Sequence, residues 1–236
     1  MKNLLTIVIP CKNEKNIILK TLDLLNYQID ISGVKVVVCD ASTDGLTKLI
    51  LIERAKSNSD LFDLDVIDGG LPARARNNGF KLVTTPYVLF MDADVFLLDT
   101  KTINHALLLA QKRKLDLTTV KFRSDNGKYN YVYRIFNVIQ RISTWITPFC
   151  LGGFMLFKSD TFKKLGGFDE EIKVAEDYQL SKKIKSNKFN CINSVVFTPP
   201  RRFENKGLIY MIKLMIGSFF NHRNKKWFTK DKNYWT

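Results

Sequence analysis

The stretch Val88-Leu89-Phe90-Met91-Asp92-Ala93-Asp94 joins an apolar run to two aspartates separated by one small residue. A short continuous apolar run that ends abruptly fits a strand buried on both faces, the habit of parallel sheets. In open α/β sheets ligands bind outside the carboxyl ends of the strands, so Asp92 and Asp94 arrive where a ligand would sit. Side chains at i and i+2 of an extended chain share a face, and two carboxylates on one face suit a hard divalent ion that also holds substrate phosphates. Alone, the same Asp-x-Asp pair reads equally well as a solvated turn.

Working outward, apolar runs at 4–9, 34–39, 64–67 and 87–91 read as strands, and residues 14–25, 46–56 and 73–83 between them carry helical periodicity. Such alternation builds a mostly parallel sheet with helices on both faces. A helix at 103–113 and a strand at 117–122 come next. The aromatic-rich segment 128–149 reads as helical, 151–157 as a strand, 159–165 and 175–186 as helices, 193–197 as a last strand and 207–220 as a last helix. With no repeat or low-complexity linker, the expectation is one α/β domain over residues 1–203 and a basic, aromatic C-terminal helix and tail over 204–236.

The 236 residues are 45% hydrophobic with 17 Phe, enough for a sizeable core, and their net charge of +14 draws phosphates, nucleic acid or an anionic membrane. Cys11, Cys39, Cys150 and Cys191 show no Cys-x-x-Cys spacing, which favours reduced thiols over zinc or disulfides. Met1-Lys2-Asn3 runs directly into the first apolar segment, too short for a signal peptide, and no apolar stretch of about 18 residues is present. A cytoplasmic protein, held at most peripherally on the membrane, is expected.

Polar loops should open on the same sheet edge as the aspartates: Pro10-Cys11-Lys12-Asn13-Glu14, Asp40-Ala41-Ser42-Thr43-Asp44-Gly45, and a glycine-rich turn leading to Arg74 and Arg76. Helix capping is an equally good account of Asn13 and Asp44. Two arginines at a helix start are placed to clamp a diphosphate.

Five motifs in order, Val8 to Glu14, Cys39 to Gly45, Ala75-Arg76-Asn77-Asn78-Gly79, Met91-Asp92-Ala93-Asp94 and Ala175-Glu176-Asp177-Tyr178, resemble glycosyltransferase family 2, inverting enzymes of the GT-A fold. The resemblance spans about residues 4 to 203 and implies a nucleotide-sugar donor with Mg2+ or Mn2+ as cofactor. It implies a nucleoside pocket of Pro10, Glu14, Asp40 and Asp44, with Asp40 accepting from the base and Glu14 near the ribose. Arg76 is implied as a donor contact, Asp92 as a ribose or metal contact, and Asp94 as the direct metal ligand. Asp177 takes the place of the catalytic base with Glu176 beside it, and Gly152 and Gly153 line the acceptor side. The family's Gln-x-x-Arg-Trp element is replaced here by Pro200-Arg201-Arg202-Phe203, where Arg201 or Arg202 would serve the pyrophosphate. His222 is a further candidate metal ligand.

The chemistry agrees with the layout. A divalent ion held by Asp94 stabilises a departing diphosphate, and a carboxylate opposite it takes the acceptor's proton, so the anomeric centre inverts. A UDP-sugar is the first expectation because Asp40 can accept from uracil's ring N–H, with a GDP-sugar second, and the acceptor is a glycan or a polyprenyl-linked molecule. A sugar-phosphate nucleotidyltransferase would need a glycine-rich loop after the first strand, which Pro10-Cys11-Lys12-Asn13 is not. A basic nucleic-acid-binding module would leave Asp92, Asp94, Glu176 and Asp177 without a use, so no nucleic acid partner is expected.

From Arg201 onward nine basic residues face Glu204 and Asp231, a net of +7. Leu208, Ile212, Met215, Ile216 and Phe219 share one helical face in that segment, with Trp227, Phe228, Tyr234 and Trp235 among lysines beyond it. Such a tail fits either an in-plane helix on an anionic membrane or a helix packed on the domain's own core.

Overall fold

Side-chain alternation along β1 (Leu5–Cys11) sets the layering of the computed structural model, which describes residues 1–232. Successive strand residues face opposite sides of a sheet, so Leu5, Ile7 and Ile9 enter one apolar cluster and Val8 another. After β1 come α1 (Lys15–Asn26), β2 (Lys35–Asp40), α2 (Thr47–Ser57), β3 (Asp63–Asp68), α3 (Pro72–Phe80) and β4 (Tyr87–Met91). These four strands pair parallel in the order β3-β2-β1-β4. Every residue of β4 is buried, as a strand covered on both faces must be.

The second half adds α4 (Thr102–Arg113), β5 (Leu117–Ser124), α5 (Asn130–Ser143), β6 (Phe154–Lys158), α6 (Ser159–Lys164), α7 (Glu176–Ser181) and β7 (Phe189–Thr198). It closes with α8 (Arg201–Lys206), α9 (Leu208–Phe220) and α10 (Lys225–Thr229). The seven-stranded sheet runs β3-β2-β1-β4-β6-β5-β7. β6 lies antiparallel between β4 and β5, so the sheet is mixed at the point where the site forms.

Two close approaches fix the layers. A methyl group on Gly79 of α3 would collide with Val8 Cγ1 and Cys39 Sγ, so the missing side chain lets the helix lie directly on β1 and β2. Beneath it Phe90 packs against Phe162 at 4.7 Å and Phe168 at 5.3 Å between ring centroids, tying β4 to α6 and to the segment that leads into α7.

Several boundaries move. The helix expected at 175–186 stops at Ser181, because Lys183 N and Ile184 N donate to the carbonyls three residues back and tighten the chain into turns. The strand expected at 193–197 starts at Phe189, where it already pairs with β5. The boundary expected at 203/204 falls inside α8, and the C-terminal segment packs back on the domain: Phe228 is fully buried against Ile172 and Val174. The expected stripe of α9 divides. Leu208 and Met211 pack on the main core and Leu214 on the Phe228 cluster, while Ile212, Ile216 and Phe219 face outward. Tyr234 and Trp235 lie outside the described residues. All four cysteines are free thiols, and no described helix is long and apolar enough to cross a membrane.

Candidate active site

The loops after β1 and β2 are stitched together by their own hydrogen bonds. Asn13 adopts φ 54°, and its Oδ1 accepts from Thr43 N at 2.8 Å and Asp44 N at 3.3 Å. Asn13 N donates to Ser42 Oγ, whose hydroxyl donates to Asp40 Oδ1 at 2.6 Å. Asn13 therefore bridges two loops rather than capping α1. Asp44 does act as a cap: its oxygens accept from Leu46 N, Thr47 N and the Thr47 hydroxyl, which holds its carboxyl below the usual range. Asp40 is buried and its Oδ2 has no hydrogen-bond partner among the described residues. A buried carboxylate oxygen with an open valence wants an N–H donor.

Asp92 and Asp94 come directly after β4 as a pair, each facing an arginine. Arg76, only 2% exposed, donates to Asp92 Oδ1 at 2.6 Å and to Glu176 Oε1 at 2.8 Å. Arg76 thus bridges the carboxylate pair to the acidic start of α7 while lining the cleft. Arg201 closes a fork on Glu14 at 2.7 and 3.0 Å and donates also to Asp94 Oδ2 at 3.0 Å. Burial, and then the charge of Asp92, raise the Asp94 pKa against the pull of Arg202 and Arg201.

Asp177 lines the same cleft as this pair. Its Oδ2 accepts from Gly152 N at 2.7 Å and its Oδ1 from Tyr178 N at 2.7 Å. The residue before the acidic pair, Ala175, sits in the left-handed region at φ 54°, a cost of roughly 1 kcal/mol or more that delivers Glu176 and Asp177 in different directions. Desolvation, and then the neighbouring charge of Glu176, push Asp177 up to about 7. A carboxyl with that pKa is half ionised near neutrality, the condition a general base needs.

The two glycines stand close to this arrangement. A methyl group on Gly152 would stand 3.1 Å from Asp177 Oδ2 and 3.2 Å from Arg76 Nη2, and one on Gly153 would meet the Phe122 ring at 2.8 Å. Gly152 makes room for Asp177, and Gly153 for the Phe122 ring.

One cleft of about 1940 Å3 joins these groups, lined by Pro10, Glu14, Arg76, Asp92, Asp94, Gly152, Gly153, Glu176 and Asp177. Its volume exceeds the roughly 300–1,000 Å3 of a single small-molecule site, leaving space for two substrates. Arg201, Arg202 and His222 also line it, and the loop between Asp40 and Asp44 reaches it through Ala41 and Thr43, with Asp40 itself buried and Asp44 exposed. Among the described residues no three His, Cys, Asp or Glu side chains gather in a metal-holding group, so His222 is not brought to the aspartate pair as a third ligand. Its Nδ1 lies 3.0 Å from the Phe219 carbonyl. Two carboxylates fit a hard ion that completes its shell from water and diphosphate, as Mg2+ does. Sequence reasoning misses Gln179, which lines the cleft two residues past Asp177 with its buried Nε2 unpartnered among the described residues.

The family model described as Glycosyl transferase family 2 matches residues 6–166, from β1 through α6. The chain belongs to glycosyl transferase family 2. Within the family it is similar to the poly(ribitol-phosphate) beta-glucosyltransferase of Bacillus spizizenii, 25% identical over 178 residues, covering 73% of this chain and 28% of the relative. It is 28% identical over 126 residues to the poly(ribitol-phosphate) beta-N-acetylglucosaminyltransferase TarS of Staphylococcus aureus, covering 52% of this chain and 22% of TarS. The matches thus span about a quarter of the length of these curated relatives. Among solved structures, the mannosyltransferase PcManGT of Pyrobaculum calidifontis with GDP-Man and Mn2+ superposes with TM-score 0.71 at 23% identity, covering 92% of this chain and 64% of that one. S. aureus TarS 1-349 with UDP-GlcNAc gives TM-score 0.64 at 20% identity, covering 84% and 59%. The family 2 chain therefore has the GT-A fold.

Proposed function

We propose that this family 2 chain is a metal-dependent inverting glycosyltransferase that moves a sugar from a nucleotide diphosphate sugar, UDP-linked in preference to GDP-linked, to a hydroxyl acceptor on a glycan or lipid carrier. The observation that carries the reading is that Asp177 shares one cleft with Asp92 and Asp94. Mg2+ or Mn2+, held by Asp94 with Asp92, would supply Lewis-acid stabilisation of the leaving diphosphate. The buried Asp40 Oδ2 would accept the base N–H, and Glu14 would meet the ribose. Arg201, with Arg202 beside it, would turn toward the pyrophosphate. Asp177 takes the acceptor hydroxyl's proton as that oxygen bonds to the anomeric carbon, and the electron pair of the broken C–O bond leaves on the diphosphate. Attack opposite the leaving group converts an α-linked donor to a β-linked product, which accords with the beta-transferase names of the relatives. A nucleic-acid-binding function is disfavoured by the carboxylates that line the cleft.

The test is a panel of UDP- and GDP-sugars with Mn2+, read both as thermal shift and as nucleotide release with hydroxyl acceptors. The expected result is a metal-dependent shift with one donor, retained in Asp177→Asn while transfer falls by about 10²–10⁴. Equal turnover in excess chelator, or equal loss of donor binding in Asp177→Asn, would overturn the assignment.

A further inference from the structure

Two helices carry stripes of exposed apolar side chains. Along α5 and its C-terminal turn, Tyr131, Ile135, Val138, Ile142, Trp145 and Ile146 are all exposed, Trp145 at 76%. Their spacing of three, four and seven puts them on one stripe. Along α9, Ile209, Ile212, Ile216, Phe219 and Phe220 form a second exposed stripe, with Phe220 at 77%. The inward sides of both helices are occupied: Val132 and Tyr133 of α5 and Leu208 and Met211 of α9 pack on the same core. Residues from both helices, including Phe136 and Ile139 on one side and Met211 and Met215 on the other, wall the cleft that reaches Asp94 and Asp177.

Charge indicates what such a face meets. Residues 129–149 contain Arg134 and Arg141 and no acid, and residues 207–230 contain five Lys or Arg and no acid. Arg134 and Arg141 flank the α5 stripe and Lys213 the α9 stripe, all three exposed. Apolar side chains bounded by cations, with Trp and Tyr at the edge and no carboxylate, are complementary to an anionic bilayer interface. Exposed apolar stripes rimmed by polar residues mark an interaction surface.

We infer that α5 and α9 together dock the protein flat on an anionic membrane, with the mouth of the cleft between them open to the lipid. Docking is independent of the enzymatic assignment. Its consequence for the acceptor rests on that assignment: the acceptor is lipid-linked, its hydrocarbon lying between the two helices and its polar head reaching Asp177.

The full chain is tested by sedimentation with vesicles of phosphatidylcholine alone and with phosphatidylglycerol added, and by quenching of Trp fluorescence with brominated lipid. The chain is expected to pellet only with the anionic vesicles and to lose this in high salt. Trp145→Phe should remove most of the lipid-dependent quenching. Ile135→Ser with Val138→Ser on α5, and separately Ile209→Ser with Ile212→Ser on α9, should each weaken binding by on the order of a hundredfold. These four side chains are exposed and lie off the cleft wall, so nucleotide-induced thermal shifts should match the parent. No vesicle binding by the full chain would overturn the inference, as would an α5 variant that binds like the parent. A chain that is dimeric in solution, indifferent to vesicles, and made monomeric by the same substitutions would assign the face to a second copy instead. Vesicle binding without any nucleotide binding would leave docking intact and remove the glycosyltransferase reading.

Discussion

At the scale of single residues, Asp177 carries the most specific expectation. Its carboxyl titrates near 7 because burial and Glu176 oppose its ionisation. Only the ionised form accepts a proton, so kcat/KM for a hydroxyl acceptor should fall about tenfold per pH unit below about 7 and level off above it. The measurement is a pH profile of the wild type beside Asp177→Asn, and an Asp177→Asn profile that keeps the acid limb would assign the titration elsewhere. The same carboxyl is legible as a site residue from the sequence alone, because an acidic pair at a helix start comes after four other motifs in order. Arg201 is legible only as a candidate cation. Its partner Glu14 lies 187 residues away, and local pattern holds no information on contacts of that range. Arg76 stands out in the sequence for its charge, but its use is hidden there, since burial between two carboxylates is a tertiary property.

At the scale of elements, α3 is held on the sheet at Gly79 and anchored over the site by Arg76. Gly79→Ala should cost about 1–3 kcal/mol, because Val8 and Cys39 are themselves fully buried with little room to shift. Arg76→Met should cost more, about 3–5 kcal/mol, since it leaves Glu176 and Asp92 as uncompensated charges in a poorly solvated place. Urea unfolding of both variants checks the order, and a smaller loss for Arg76→Met than for Gly79→Ala would contradict it. The parallel half of the sheet is readable because its strands and helices alternate with clear periods. The direction of β6 is not, since an apolar strand reads the same parallel or antiparallel. α8 and α10, of six and five residues, are too short for a period to declare itself.

At the scale of the whole molecule, the two halves of the sheet would contribute complementary parts to the proposed reaction: β1, β2 and β4 carry the loops that would face the donor, and the segment from β6 to α7 carries the carboxylate proposed as base. Asp94→Ala should therefore leave the fold and the acceptor side in place while lowering transfer by roughly a thousandfold or more, and chelation of the wild type should reproduce the loss. Near-normal transfer in either experiment would remove the ion from the scheme. Phe228→Ala, which empties the fully buried position beside Ile172 and Val174, should cost about 3–5 kcal/mol in denaturant unfolding if the C-terminal segment unfolds with the domain. The placement of Phe228 also shows why α9 matters mechanically. Just before the helix, Arg201 grips Glu14 and Asp94; just after it, Phe228 is wedged beneath the segment that ends at Ala175 and Asp177. The helix thus runs between two anchorages, one at Glu14 and Asp94 and one beside Ala175. In the proposed reaction, a surface that bears on α9 would act on the seat of the leaving group and the seat of the attacking group together.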